Sequence, residues 1–384
     1  MTKLNILDIT ETPDENVLMA DGCRLSARIW KPKKAETNPV PAILEFLPYR
    51  KRDGTTARDV LTHPYIAKRG YACVRVDMRG NGDSDGVMED EYSKQELEDA
   101  LETIEWISKQ SWCSGEVGMM GISWGGFNSL QVAAMQPPAL KAIITLCSSV
   151  DRYADDIHYK GGCLLNENLG WGSTMWAYSS RPPDPKLVGE KWRKMWLQRL
   201  KTEPFLPVKW LSHQTRDNYW QHGSVCEDYP AIKAATLAIG GWGDAYKNTV
   251  SHLVENLTAP VKGIVGPWVH KYPHLAVPEP RIGFLQEALR WWDHWLKGED
   301  QGVQNDPSYT AYLMDGVRPK TFYKERTGIW ITENDWPNGL FWQTHYLGAH
   351  NRLSNALEQI SDQIYSPQTC GMNGGEYCAI WLGP

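Results

Sequence analysis

From about residue 40 to residue 300, short apolar runs alternate with stretches of helical periodicity. Residues 41–47 and 71–76 are apolar runs of strand length. Each closes in turn chemistry, Pro48-Tyr49 after the first and Asp77-Met78-Arg79-Gly80 after the second. Residues 93–109 carry a helix signature: Ser93 and Glu96 form a capping box, and Leu97, Leu101, Ile104 and Ile107 recur at helical spacing. Residues 116–122 predict a strand that runs directly into a helix over 125–136. Further strands are expected over 140–147, 235–240 and 261–265, the last of the series, and an amphipathic Trp-rich helix over 284–297. Strands alternating with helices predict an α/β fold, a mostly parallel sheet covered on both faces.

Two regions break this rhythm. Residues 151–230 contain no convincing strand, and 188–200 is helical, with Val188, Trp192, Met195 and Trp196 on one stripe. This segment is expected to be a helical cap inserted between two strands, with the Trp192 and Trp196 pair packed in its core. Beyond residue 300 the strand-like runs 309–314, 328–332 and 341–347 predict the start of an all-β domain. The expected organisation is a sheet domain from 1–150 and 231–300, a cap over 151–230 and a β domain over 301–384.

Composition narrows the partners. A net charge of -6 leaves no basic surplus to neutralise phosphates, which argues against a general nucleic-acid binder. The densest basic run, Arg50-Lys51-Arg52, is expected to be a solvated turn. The N-terminal residues lack the apolar stretch of a signal peptide, and no apolar run is long enough to cross a bilayer. The eight cysteines never form C-x-x-C, so reduced thiols in a cytoplasm are the simpler expectation. Six tryptophans fall in the stretch from Trp171 to Trp220, which marks a segment with its own packing or one lining an aromatic pocket. Trp171 and, after a later strand, Trp242 are expected to touch substrate.

The candidate chemistry centres on G-x-S-x-G, which occurs as Gly82-Asp83-Ser84-Asp85-Gly86 and as Gly121-Ile122-Ser123-Trp124-Gly125. A nucleophile elbow needs a strand entering and a helix leaving, and only Ser123 has both. Ser84 lies between two carboxylates that would oppose a developing oxyanion, and reads as a turn residue. A serine hydroxyl needs a base, and the base an orienting carboxylate, in the chain order Ser, Asp, His. Two later strands end in Gly240-Gly241-Trp242-Gly243-Asp244 and Gly266-Pro267-Trp268-Val269-His270, which supply Asp244 and His270. Asp244 could instead cap a following helix. His274 competes with His270 but lies farther from its strand. The pair has the spacing of a zinc helix, yet Pro273 between them argues against one, so no metal is expected. Gly80-Asn81-Gly82 is too weak a signal for a dinucleotide loop beside Asp83 and Asp85, and no cofactor is expected.

These motifs resemble the cocaine esterase-like hydrolases of the X-Pro dipeptidyl-peptidase (S15) superfamily, the CocE/NonD hydrolases. The resemblance rests on Leu47-Pro48-Tyr49-Arg50-Lys51, on the run from Asp77 to Gly86, on Gly118-Met119-Met120-Gly121-Ile122-Ser123-Trp124-Gly125-Gly126, and on the two strand ends above. Trp291-Trp292-Asp293-His294-Trp295-Leu296-Lys297-Gly298 completes it. It implies an α/β-hydrolase domain, a helical cap and a C-terminal jelly roll. It also implies an oxyanion hole made by the Tyr49 hydroxyl and the backbone N–H of Trp124. Residues 305–384 are too few for an eight-stranded jelly roll, so the chain is expected to be a fragment, a truncated reading frame or a shortened variant with exposed strand edges.

The function expected is cleavage of a small-molecule acyl ester or amide through an acyl-enzyme. A second possibility is a dipeptidyl peptidase or α-amino-acid ester hydrolase, with Asp151, Asp155, Asp156 or Glu167 holding a substrate ammonium. A third is a non-catalytic binding protein.

Overall fold

The computed structural model describes residues 6–361 and 363, apart from 319, 321 and 338–341. Six strands precede the long insertion: β1 (Ile9–Leu18), β2 (Arg24–Pro32), β3 (Val40–Leu47), β4 (Ala72–Asp77), β5 (Cys113–Ile122) and β6 (Leu140–Leu146). A small hairpin, β7 (Tyr159–Lys160) and β8 (Cys163–Leu164), lies inside the insertion. β9 (Ala235–Gly241), β10 (Val261–Gly266), β11 (Tyr309–Met314) and β12 (Gly328–Glu333) follow, and β13 (Tyr346–Gly348) pairs with β14 (Arg352–Ser354). Ten of these form one sheet in the order β1-β2-β4-β3-β5-β6-β9-β10-β11-β12. β4, β3, β5, β6, β9, β10 and β11 run parallel, and β1, β2 and β12 pair antiparallel at the two edges.

The parallel strands are apolar almost throughout because both faces are covered. On one face α2 (Lys94–Ser108), α3 (Trp124–Ala134) and α9 (Thr249–Asn256) pack against alternate strand residues such as Leu44, Phe46, Met119 and Ile143. On the other, α1 (Thr56–Ala67) and α10 (Phe284–Lys297) cover Ile43, Met120, Ile144 and Leu237. Period-two alternation thus divides the apolar side chains of each strand between two cores. The capping box begins α2 as expected, with Glu96 N–H donating to Ser93 Oγ at 3.1 Å.

Several expectations about the fold are corrected. β10 is not the last strand of the sheet: β11 pairs parallel with it and β12 pairs with β11, so the runs at 309–314 and 328–332 extend the main sheet instead of opening a separate one. The third run reaches only Tyr346–Gly348 as a strand, while Phe341 and the segments 366–369 and 374–378 lie outside the described residues. The insertion is mainly helical, with α4 (Glu167–Ser179), α5 (Pro185–Val188), α6 (Trp192–Thr202), α7 (Leu206–Ser212) and α8 (Asn218–Gln221), but it does contain the β7–β8 hairpin. Trp192 and Trp196 stack on each other at 6.1 Å and are only half-buried, so the pair is not a core. The insertion's buried tryptophans are Trp171, Trp210 and Trp220.

The basic run after β3 is corrected as well. Lys51 is fully buried and Arg50 nearly so. The Lys51 ammonium lies 2.8 Å from Asp83 and 3.3 Å from Asp77, and its backbone N–H donates to Asp77 Oδ1 at 2.7 Å. Its partners are thus Asp77, at the end of β4, and Asp83, in the turn that follows. The Arg50 guanidinium reaches the insertion, donating to the carbonyl of Pro182 at 2.8 Å. Ser84 is a buried turn residue, donating to the Asp77 carbonyl at 2.5 Å and accepting from Ser26 N–H at 2.9 Å.

Candidate active site

Ser123 occupies the turn between β5 and α3 with φ 57° and ψ −126°, a conformation that strains a non-glycine residue. The turn is tight because Gly121 and Gly125 touch: a Cβ on Gly121 would fall 2.6 Å from the backbone of Gly125. The Ser123 side chain therefore stands at the carboxyl end of the sheet, above the first turn of α3.

Tyr49 sits two residues beyond β3. A sharp bend follows it, with Arg50 at φ 56° and Gly54 so close that a Cβ there would meet the Tyr49 carbonyl at 1.8 Å. The Tyr49 hydroxyl lies 3.3 Å from Ser123 Oγ and also faces the backbone N–H of Trp124. The Trp124 indole is buried and donates to Glu96 Oε1 at 2.5 Å. Burial pushes the Glu96 carboxyl up to about 8, against the opposing effect of that indole N–H.

Asp244 and His270 arrive on neighbouring strand ends that stay zipped beyond β9 and β10. Trp242 N–H donates to the Gly266 carbonyl and Gly243 N–H to the Trp268 carbonyl, both at 2.9 Å. His270 Nδ1 consequently lies 3.1 and 3.2 Å from the two oxygens of Asp244. Asp244 does not cap a helix, since α9 starts at Thr249 with Asn248 before it. Its burial would raise the carboxyl, but the charge and hydrogen bond of His270 and the thiol of Cys147 outweigh this and hold it below the ordinary carboxylate range. His274 points elsewhere, stacking on Phe284 at 5.4 Å, and burial lowers it to about 4.

Ser123, Tyr49 and His270 line one cavity of about 360 Å³, together with Trp171, Tyr178 and Leu275. That is the size range of small-ligand sites. Among the described residues Ser123 and His270 share no hydrogen bond. Trp171 belongs to the cavity wall, held by its indole N–H donating to Glu91 at 2.9 Å. Trp242 does not: its indole N–H donates to the Tyr312 carbonyl at 2.7 Å, a packing role beside β11. None of Asp151, Asp155, Asp156 and Glu167 lines the cavity. Asp151 pairs with Arg216 at 3.2 Å, Asp155 pairs with Lys160, and Asp156 is buried.

Two residues of the site carried no signal in the sequence. Cys147, just past β6 at φ 46°, places its thiol against Asp244, and burial keeps that thiol protonated and able to donate. Tyr178, on α4, packs 5.7 Å from Tyr49. Both depend on contacts across the chain, which no local pattern reports. Among the described residues, two groups bring three metal-ligand atoms within 4.8 Å of one another, Cys147 with Asp244 and His270, and Glu45 with Asp59 and His63. In the second group Arg58 already pairs with both carboxylates, at 2.8 and 2.5 Å. In the first, the protonated thiol serves as a hydrogen-bond donor.

Comparison with known proteins bears on the family and the fold. The family model described as X-Pro dipeptidyl-peptidase (S15 family) matches residues 21–272, more than half of the chain. Cocaine esterase from Rhodococcus sp. (strain MB1 Bresler) is 27% identical, over 84% of this chain and 59% of its own length. A CocE/NonD family hydrolase from Staphylococcus aureus superposes with a TM-score of 0.70 at 20% identity, covering 93% of this chain and 66% of that one. An α-amino acid ester hydrolase superposes with a TM-score of 0.63 at 20% identity, covering 91% of this chain and 63% of that one. The chain thus spans less than two thirds of the length of these relatives, and its fold is the α/β-hydrolase fold they share. Among the described residues no helix is long and apolar enough to cross a membrane. With a family model matched across the elbow, both strand ends and the turn that holds Tyr49, the chain belongs to the X-Pro dipeptidyl-peptidase (S15) family.

Proposed function

We propose that this protein is a serine hydrolase that cleaves small acyl esters through an acyl-enzyme. One observation carries the reading: Ser123, the Tyr49 hydroxyl and His270 open onto the same cavity, with Asp244 behind the imidazole. Ser123 Oγ attacks the acyl carbonyl carbon as its proton passes to His270 Nε2. The carbonyl oxygen takes up negative charge and accepts hydrogen bonds from Tyr49 and from Trp124 N–H. Collapse expels the alcohol, which leaves with the proton held by His270. Water, deprotonated by the same imidazole, then attacks the acyl-enzyme, and Ser123 recovers its proton as the acid departs. Asp244 fixes the Nδ1–H tautomer and stabilises the imidazolium.

Residues 151–230 serve as a cap in this reading, supported by the contribution of Trp171 and Tyr178 to the cavity wall. A reducing cytoplasm suits the six described cysteines, all free thiols. Ester substrates without an α-amino group are favoured over dipeptides, because the acidic side chains that could hold an ammonium lie outside the cavity. The test is hydrolysis of a chromogenic acyl ester together with labelling by a fluorophosphonate. Both are expected in the wild type and both are expected to vanish in Ser123→Ala. Full activity in that variant sinks the proposal.

A further inference from the structure

The cavity wall carries an asymmetry of charge. Its basic lining residues are Arg58, His270 and Lys271, and among the described residues no carboxylate lines it. These three basic side chains differ in how they are held. Arg58 is neutralised by Glu45 and Asp59, at 2.8 and 2.5 Å, and its guanidinium also lies over the Tyr272 ring. His270 faces Asp244. Lys271 directly follows His270, is half-buried, and among the described residues forms no ion pair. Burial alone lowers its ammonium from the usual lysine value, with no acid nearby to offset it. A charge partly withdrawn from water without a partner is costly, and a ligand that supplies the opposite charge recovers that cost.

We infer that Lys271 is a specificity-determining residue that selects substrates bearing a carboxylate apart from the scissile ester. The inference rests on the hydrolase reading and adds to it the substrate's charge. An anionic group entering the cavity meets Lys271 beside the base, whereas a substrate ammonium meets like charge and no acid.

Matched p-nitrophenyl esters test this: butyrate (neutral), the hemiester of glutarate (terminal carboxylate) and 4-aminobutyrate (terminal ammonium). A second arm places the carboxylate on the leaving group, comparing the butyrate esters of phenol and of 4-hydroxybenzoate. The arms tell whether the acyl or the alcohol side is recognised. In one arm the wild type is expected to prefer the anionic ester. Lys271→Met is expected to reduce the anionic-to-neutral ratio of kcat/KM by about five- to tenfold, chiefly through KM, and Lys271→Glu to shift preference toward the cationic ester. The wild-type ratio should also fall with added salt, which keeps the test open if a variant does not fold. A wild type indifferent to substrate charge in both arms, or ratios unmoved by salt and by substitution, overturns the inference. Absence of any turnover together with absence of Ser123 labelling counts instead against the hydrolase reading.

Discussion

The Tyr49 hydroxyl donates to Ser123 Oγ at 3.3 Å, across 74 residues of chain, and the same hydroxyl faces the Trp124 N–H. In the proposed mechanism these two donors serve a carbonyl oxygen bound at Ser123. Tyr49→Phe removes one donor and leaves the ring. We expect kcat to fall by roughly 10²–10³-fold, the usual effect of losing one such group, with fluorophosphonate labelling of Ser123 still measurable. A loss under twofold in steady-state kinetics would assign Tyr49 to packing.

Asp244 is expected to act through His270. Asp244→Asn keeps the shape but lets the amide favour the wrong imidazole tautomer. A decrease in kcat on the order of 10⁴-fold follows if the pair works as in other Ser-His-Asp sites. Single-turnover kinetics of acylation check this, and a change confined to KM speaks against it.

Lys51→Met tests the buried ion-pair cluster. The variant leaves Asp77 and Asp83 without their cation inside the protein, and we expect a stability loss of about 3–5 kcal/mol at pH 7 by denaturant unfolding. In the wild type, burial raises Asp77 but Lys51, Arg75 and backbone N–H groups prevail and hold it low. Its favourable contribution is present above the ordinary carboxylate range and is lost only as pH falls below it. Without Lys51 the carboxyls rise instead, so the variant's deficit should shrink as pH is lowered from 7 to 5. A deficit that is constant with pH would contradict this account.

Glu96 gives a pH dependence of opposite sense. Its folded value of about 8 lies above that of an unfolded glutamate, so the folded state holds a proton that the unfolded chain has released. Stability from this group is full below the unfolded value and drains away as pH rises toward and through 8. Glu96→Gln should flatten that decline. Melting temperatures of the two proteins at pH 5.5 and pH 8.5 give the comparison, and parallel losses in both would remove Glu96 as the cause.

Much of this architecture is written in local patterns. The Ser93 and Glu96 cap, the elbow at Ser123 and the two strand ends bearing Asp244 and His270 depend on neighbours within a few residues, so spacing reveals them. Lys51 does not: a lysine between two arginines resembles a surface turn until Asp77 and Asp83, 26 and 32 residues away, fold around it. The same holds for Cys147, whose role comes from Asp244, and for Trp242, whose indole is taken by Tyr312. The strands β11 and β12 read correctly as strands, yet their sheet was set by pairing with β10, and an edge partner leaves no periodic trace.

The fully enclosed ammonium of Lys51 has a practical outcome at the bench. Salt screens a buried pair far less than an exposed one, so the loop carrying Tyr49 is expected to keep its place as ionic strength rises. Any ionic-strength sensitivity of turnover is then expected to report on charges at the wetted wall of the cavity, with the proposed oxyanion donor a fixed fitting.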